Sequence, residues 1–131
     1  METALTSPRV AWLRRVLLFK VALCFLLWGL PALIGPAWFL ALFGLTMPDD
    51  PLFLRLFGSM VIAFGVAYWC AYQDPVRNRA ILVAGVVDNG MATLTIVGVA
   101  LTTGVFSWFL WLSAALTAFF CVAFLTLMLR E

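Results

Sequence analysis

Apolar residues run along this chain in four long stretches, separated by short joints rich in proline, glycine and charge. The stretches cover roughly residues 16–34, 52–72, 80–101 and 108–129. Each is close to the ~20 apolar residues that a helix needs to cross a bilayer, so the pattern predicts four transmembrane helices. The joints carry turn chemistry. Pro31, Gly35 and Pro36 close the first stretch. Met47-Pro48-Asp49-Asp50-Pro51 cannot continue a helix. Asp74-Pro75 reads as an N-cap with proline in the first turn, so the third helix is expected to begin inside the loop. Thr102-Thr103-Gly104 stops that helix, and Ser107 is placed to cap the fourth. Residues 36–46, with Trp38, Phe39 and Phe43, are too few to span and predict an interfacial or re-entrant segment, the tryptophan favouring the interface.

Composition strengthens this reading. Of 131 residues, 66% are hydrophobic and 11% charged, against about 25% charged in a soluble domain. A small water-soluble fold could not bury so much apolar surface. The expectation is a single domain, an all-α integral membrane four-helix bundle. The first stretch has the basic front and apolar middle of a signal peptide, but apolar sequence resumes directly after Pro36, so a retained helix is expected.

Charge sets the expected orientation. Arg9, Arg14, Arg15, Lys20, Arg77, Arg79 and Arg130 fall on one side of the bundle. The other side has Arg55, beside Asp49 and Asp50. The positive-inside rule then places both termini in the cytoplasm, with a bacterial inner membrane the expected location. Trp108 and Trp111 fit an outer aromatic belt, and Trp12, Tyr68, Trp69 and Tyr72 an inner one.

Several chemistries are excluded. A net charge of +2 without a basic stripe gives no nucleic-acid partner. With no histidine there is no usual zinc site, histidine-ligated haem or imidazole-activated nucleophile. Cys24, Cys70 and Cys121 form no Cys-x-x-Cys pair and read as small hydrophobes. No metal or cofactor is expected, and no catalytic residue is assigned.

Small residues mark the expected helix contacts, because membrane helices associate by close packing. They form the rows Ser59-Ala63-Ala67-Ala71 and Ala84-Asp88-Ala92, the latter with Gly85 beside it, and the pair Ala114-Ala118 flanked by Ser113, Thr117 and Cys121. Val83, Val86, Val87, Leu94, Val97 and Leu101 are expected to face lipid.

Asp88 is the candidate that matters most. It lies about 12 Å along the third helix, where a carboxylate costs on the order of 2.5–3.5 kcal/mol on insertion scales. Its row of small residues predicts that it points into the bundle. Asn89 adds a polar group at the same depth. Lys20, about 6 Å into the first helix, either reaches Asp88 or snorkels back to the surface. Two readings stay open: Asp88, Asn89 and Lys20 bind a ligand headgroup or proton, or they clasp two helices together. Arg55 is expected to meet Asp49 or Asp50, or else an anionic ligand. Arg77 and Arg79 are expected to anchor the loop on anionic headgroups.

Three segments carry a family resemblance: Pro36-Ala37-Trp38-Phe39-Leu40-Ala41-Leu42-Phe43-Gly44, Arg55-Leu56-Phe57-Gly58 and Asp74-Pro75-Val76-Arg77-Asn78-Arg79. Their arrangement resembles the small four-helix bacterial membrane proteins of the BphX-like and DoxX-like kind. The resemblance implies a four-helix bundle of this length and no defined activity. Some DoxX-like members are subunits of quinone-linked oxidoreductases, though no residue here matches an active site of that sort. Asp88-Asn89-Gly90 departs from the basic or neutral character usual there. Small multidrug transporters are set aside because residues 16–34 contain no acid, and membrane glutathione transferases because their histidine-containing loop is missing.

Three functions follow as expectations. The first is an accessory subunit that docks with partner membrane subunits or with further copies of itself. The second is a binder or carrier of a lipid or other hydrophobic small molecule, using Asp88 and Asn89. The third is an intramembrane isomerase, ranked last because acid–base chemistry wants a second proton-transfer group.

Overall fold

A computed structural model describes residues 7–104 and 107–129; Arg130, assigned above to the cytoplasmic side, lies outside the described residues. Among the described residues, four helices are long and apolar enough to cross a membrane: α1 (Pro8–Ile34), α3 (Leu52–Gln73), α4 (Arg79–Thr103) and α5 (Trp108–Leu129). A short helix, α2 (Ala37–Ala41), follows α1. The long helices form an up-and-down bundle in which α1 packs chiefly on α3 and α4 on α5, while α1–α5 and α3–α4 contacts close the ring.

Helix α1 begins two turns before its apolar run. Ser7 accepts from the Val10 N–H at 3.3 Å and Pro8 supplies a pre-set first turn. Arg9, Arg14 and Arg15 therefore lie on the helix and not in a tail ahead of it. Pro31 does not end α1 either. It has no N–H to offer the preceding turn, and the chain answers with a π-helical segment, Cys24–Gly29, in which Leu30 N–H donates to the Phe25 carbonyl.

Glycines let α1 and α3 approach closely. A Cβ on Gly58 would stand 2.4 Å from the Leu33 amide nitrogen, and one on Gly65 would stand 2.8 Å from the Phe25 ring. The buried row of α3 is accordingly Gly58, Gly65, Tyr68 and Ala71. Ser59 and Ala63, expected in that row, are exposed. In α5 the expected face holds: Ser113, Ala114 and Thr117 are buried, with Phe120, Phe124 and Met128 continuing the row.

The loops differ in detail from their sequence pattern. Asp74 caps a turn and not α4, accepting from Arg77 N–H at 3.0 Å, and α4 starts at Arg79. Gly104, at φ 68°, ends α4 in the left-handed conformation. Ser107 precedes α5, its carbonyl accepting from Trp111 N–H while its hydroxyl donates to the Phe43 carbonyl at 2.9 Å. That bond holds the loop after α2 against α5, where the Phe43 and Phe109 rings meet at 5.1 Å.

Candidate functional site

Helix α4 is apolar around most of its circumference, so contacts decide which face turns inward. Gly85 decides it: a Cβ there would lie 2.9 Å from the Tyr68 hydroxyl and 3.1 Å from the Phe124 ring. With Gly85 at the closest approach, residues one turn apart from it follow, and Leu82, Gly85, Asn89 and Ala100 are the buried residues of α4. Asp88 and Ala84 are exposed. The expected inward row Ala84-Asp88-Ala92 is thus displaced by one residue, about 100° of rotation at 3.6 residues per turn. Val83, Val87, Leu94 and Leu101 face outward as expected, whereas Val86 packs against the core.

Lys20 meets Asn89, not Asp88. Its Nζ donates to Asn89 Oδ1 at 2.6 Å, and both residues are buried, at 3% and 0% exposure. The ammonium also lies 4.7 Å from the Phe120 ring centroid, 4.8 Å from Trp28 and 5.6 Å from Tyr68. Three π-faces and one amide oxygen take the place of water around the cation. This is the opposite of snorkelling, and it uses the length of the lysine stem to carry the charge inward.

Asn89 is held in turn. Its Nδ2 donates to the Gly85 carbonyl at 2.6 Å and to the Tyr68 hydroxyl at 3.4 Å. Thr93, one turn further along, donates to the Asn89 carbonyl at 2.9 Å, and its hydroxyl lies 2.8 Å from that of Thr117. Thr117 contacts the Ser113 carbonyl at 2.9 Å, and Ser113 Oγ accepts from Trp28 Nε1 at 2.9 Å. The network therefore draws on α1 (Lys20, Trp28), α3 (Tyr68), α4 (Asn89, Thr93) and α5 (Ser113, Thr117). Among the described residues, no buried side-chain nitrogen or oxygen lacks a partner. An interior that water does not reach requires such closure of its polar groups.

Tyr68, placed above in an aromatic belt, is a core residue of this cluster. Trp28, Thr93, Ser113 and Thr117 joined no site in the sequence reading. The spacing Gly85-Asn89-Thr93, small and polar at every fourth residue, is the signal that would have pointed to the right face of α4.

The remaining cations serve helix ends. Arg55 does not meet Asp49 or Asp50; its guanidinium donates to the carbonyls of Ala32 at 3.0 Å and Gly35 at 2.9 Å. In an unbroken helix the Ala32 carbonyl would accept from residue 36, which is proline. Arg55 supplies the missing donor. At the other end of the bundle Arg14 donates to the Tyr72 carbonyl at 3.0 Å and lies over the Tyr72 ring, while Arg9 donates to the Leu127 carbonyl. Each places a cation at the negative end of a helix dipole. Arg77 is exposed on the α3–α4 loop and Arg79 is exposed at the first residue of α4.

The three cysteines are free, Cys24 buried, Cys70 exposed and Cys121 between. Among the described residues, no three His, Cys, Asp or Glu side chains converge as metal ligands.

Four membrane-length helices closed around a satisfied polar clasp define a helical bundle of membrane-protein character. No family model, curated protein or solved structure matches the chain.

Proposed function

We propose that this chain is a small multi-pass membrane protein acting as an accessory or interaction subunit of a membrane complex, of the BphX-like or DoxX-like kind. In this reading it sits in the bacterial inner membrane with both termini cytoplasmic, and residues 36–46 lie along the outer interface. One observation carries the functional part. The polar groups inside the bundle are engaged with one another, Lys20 with Asn89 and Asn89 with Tyr68 and Gly85, while the carboxylate of Asp88 faces outward. The interior is occupied by its own side chains. What the molecule offers to others is its outer surface.

A second reading, a carrier of a lipid or other hydrophobic molecule, is favoured by an apolar groove of about 270 Å³ lined by Leu26, Leu30, Pro31, Ile34 and Phe39. It would seat an acyl chain and uses neither Asp88 nor Asn89. The isomerase reading would need Asp88 and a second proton-transfer group to face one substrate, yet Asp88 faces out and Lys20 faces in.

Native mass spectrometry of protein extracted gently from its own membrane tests the proposal. A retained protein partner is the expected result. A bare monomer contradicts it, and a retained small molecule alone selects the carrier. A reporter fused to the C-terminus should be active only in the cytoplasm; activity on the outer side overturns the orientation.

A further inference from the structure

The end of α1 carries an apolar groove of about 270 Å³, bounded by Leu26, Leu30, Pro31, Ile34, Pro36 and Phe39. Its shape follows from local structure. Leu26, Leu30 and Ile34 follow one another along one face of α1 and are exposed at 71%, 38% and 69%. Pro36 breaks the helix, and α2 folds back beside that face, with the Phe39 ring 3.4 Å from where a Cβ on Gly35 would stand. Leu26 and Ile34 are about 12 Å apart at helical rise, close to the ~15 Å of hydrocarbon in one leaflet, half of the bilayer core. Trp38, exposed and edge-on to Phe39 at 5.8 Å, suits the headgroup level. Arg55 stands at this same end. Its Nη1 donates to the carbonyl of Gly35, a residue of the groove wall, at 2.9 Å. Among the described residues, no hydrogen bond engages its Nε or Nη2. Asp49 and Asp50 are exposed on the loop ahead of α3, and Asp50 accepts from Leu52 N–H at 3.0 Å, one turn before Arg55.

From this juxtaposition we infer that the groove holds an acyl chain of one zwitterionic phospholipid of the outer leaflet, its phosphate on Nε and Nη2 of Arg55 and its ammonium toward Asp49 and Asp50. The inference rests on the membrane placement proposed above and names the ligand of the groove; it does not depend on whether a partner protein docks. Three features select this occupant. The wall is built of leucine, isoleucine, phenylalanine and proline side chains, whereas a second membrane helix packs through small residues. The groove reaches through one leaflet, which matches a lipid chain and falls short of a spanning segment. Charge supplies the third. The Nε–Nη2 edge of a guanidinium is a fork that fits two phosphate oxygens, so an apolar molecule without a headgroup would leave it unused. The two carboxylates close by repel a headgroup of net negative charge and attract one that ends in an ammonium.

The test uses the full chain, purified and delipidated in detergent, then titrated with phosphatidylethanolamine or phosphatidylglycerol and read by native mass spectrometry. One phosphatidylethanolamine should bind about tenfold more tightly than any further copy, and about tenfold more tightly than the first phosphatidylglycerol, the scale of one charge-assisted hydrogen bond. Ile34→Trp, which fills the groove at an exposed position, should reduce that first affinity to the level of later copies. Val122→Trp, equally exposed on α5 and outside the groove, should leave it unchanged. Arg55→Met should lower it about tenfold; because Arg55 also serves the end of α1, this variant is scored only with an unaltered circular dichroism spectrum, and Ile34→Trp decides otherwise. Binding without a distinct first lipid overturns the inference. So does phosphatidylglycerol that binds first as tightly or more tightly, or a first lipid that survives Ile34→Trp. The C-terminal reporter tests the placement separately: failed lipid binding with a cytoplasmic C-terminus overturns the site and leaves the placement standing.

Discussion

Asp88 and Asn89 are neighbours in sequence and have opposite surroundings. Asn89 is fully buried, accepts from a lysine ammonium and donates to α3 and to its own helix. Asp88, one residue earlier, is exposed on the outer face. On a helix a single residue is worth about 100°, enough to separate the inside of a bundle from its outer surface. The amide, with both donors and an acceptor, can satisfy several groups at once without carrying charge, and that suits a crowded interior. The carboxylate hydrogen-bonds to no described residue and meets the Lys20 charge only across a distance. The contrast teaches that one residue of helical register decides whether a polar side chain holds the bundle together or lies on its surface.

The sharpest way to break this contrast is to remove the inner group. Asn89→Leu leaves the Lys20 ammonium buried without its acceptor, and should cost about 3–5 kcal/mol of stability, read as the shift in detergent or thermal unfolding. Adding Lys20→Met to Asn89→Leu should restore much of that loss, since an apolar pair of similar volume needs no partner. A double mutant as unstable as Asn89→Leu alone would show that the cation is not the source of the cost.

A smaller effect is expected where the helices touch or end. Gly58→Ala forces a Cβ against the α1 backbone, and should cost about 1–3 kcal/mol. Gly98→Ala, in open space on the outer face, should be neutral or stabilise by up to about 1 kcal/mol. Equal effects at the two glycines would mean that α4 is not oriented as described. Arg55→Met removes two bonds to carbonyls at the end of α1, and should cost about 1–3 kcal/mol, accompanied by faster amide exchange near residues 36–39.

The smallest stability effect is expected at Asp88 itself. Asp88→Asn should move the unfolding free energy of the isolated protein by no more than about 0.5 kcal/mol, the usual range for an exposed site. A loss comparable with that of Asn89→Leu would return Asp88 to the clasp.

Much of this was legible in the sequence. Length and hydropathy gave the four spans to within two residues at most ends, because lipid imposes one simple rule on a spanning helix. The start of α1 was missed because its first two turns are basic, and hydropathy does not register Ser7-Pro8 as a cap. Rotation of α4 was misread for a different reason. In a membrane bundle both the core and the lipid face are apolar, so hydrophobic periodicity scarcely distinguishes them. Small residues then become the guide, and α4 carries two rows of them, Ala84-Asp88-Ala92 and Gly85-Asn89-Thr93. Only the second meets Tyr68 and Phe124. Lys20 does reach into the bundle, but its partner depended on that rotation. The roles of Trp28 and Tyr68 required knowing that aromatic rings at different heights on α1 and α3 converge on one ammonium.

The most direct test of the account is a nitroxide scan of residues 84–92 in α4, with the three native cysteines replaced and the protein reconstituted in lipid. Collision with oxygen, which concentrates in the bilayer core, should peak at positions 84, 88 and 91 and fall to minima at 85 and 89. Maxima at 85 and 89 would turn the Lys20–Asn89 clasp outward, and the rotation of α4 described here would be wrong.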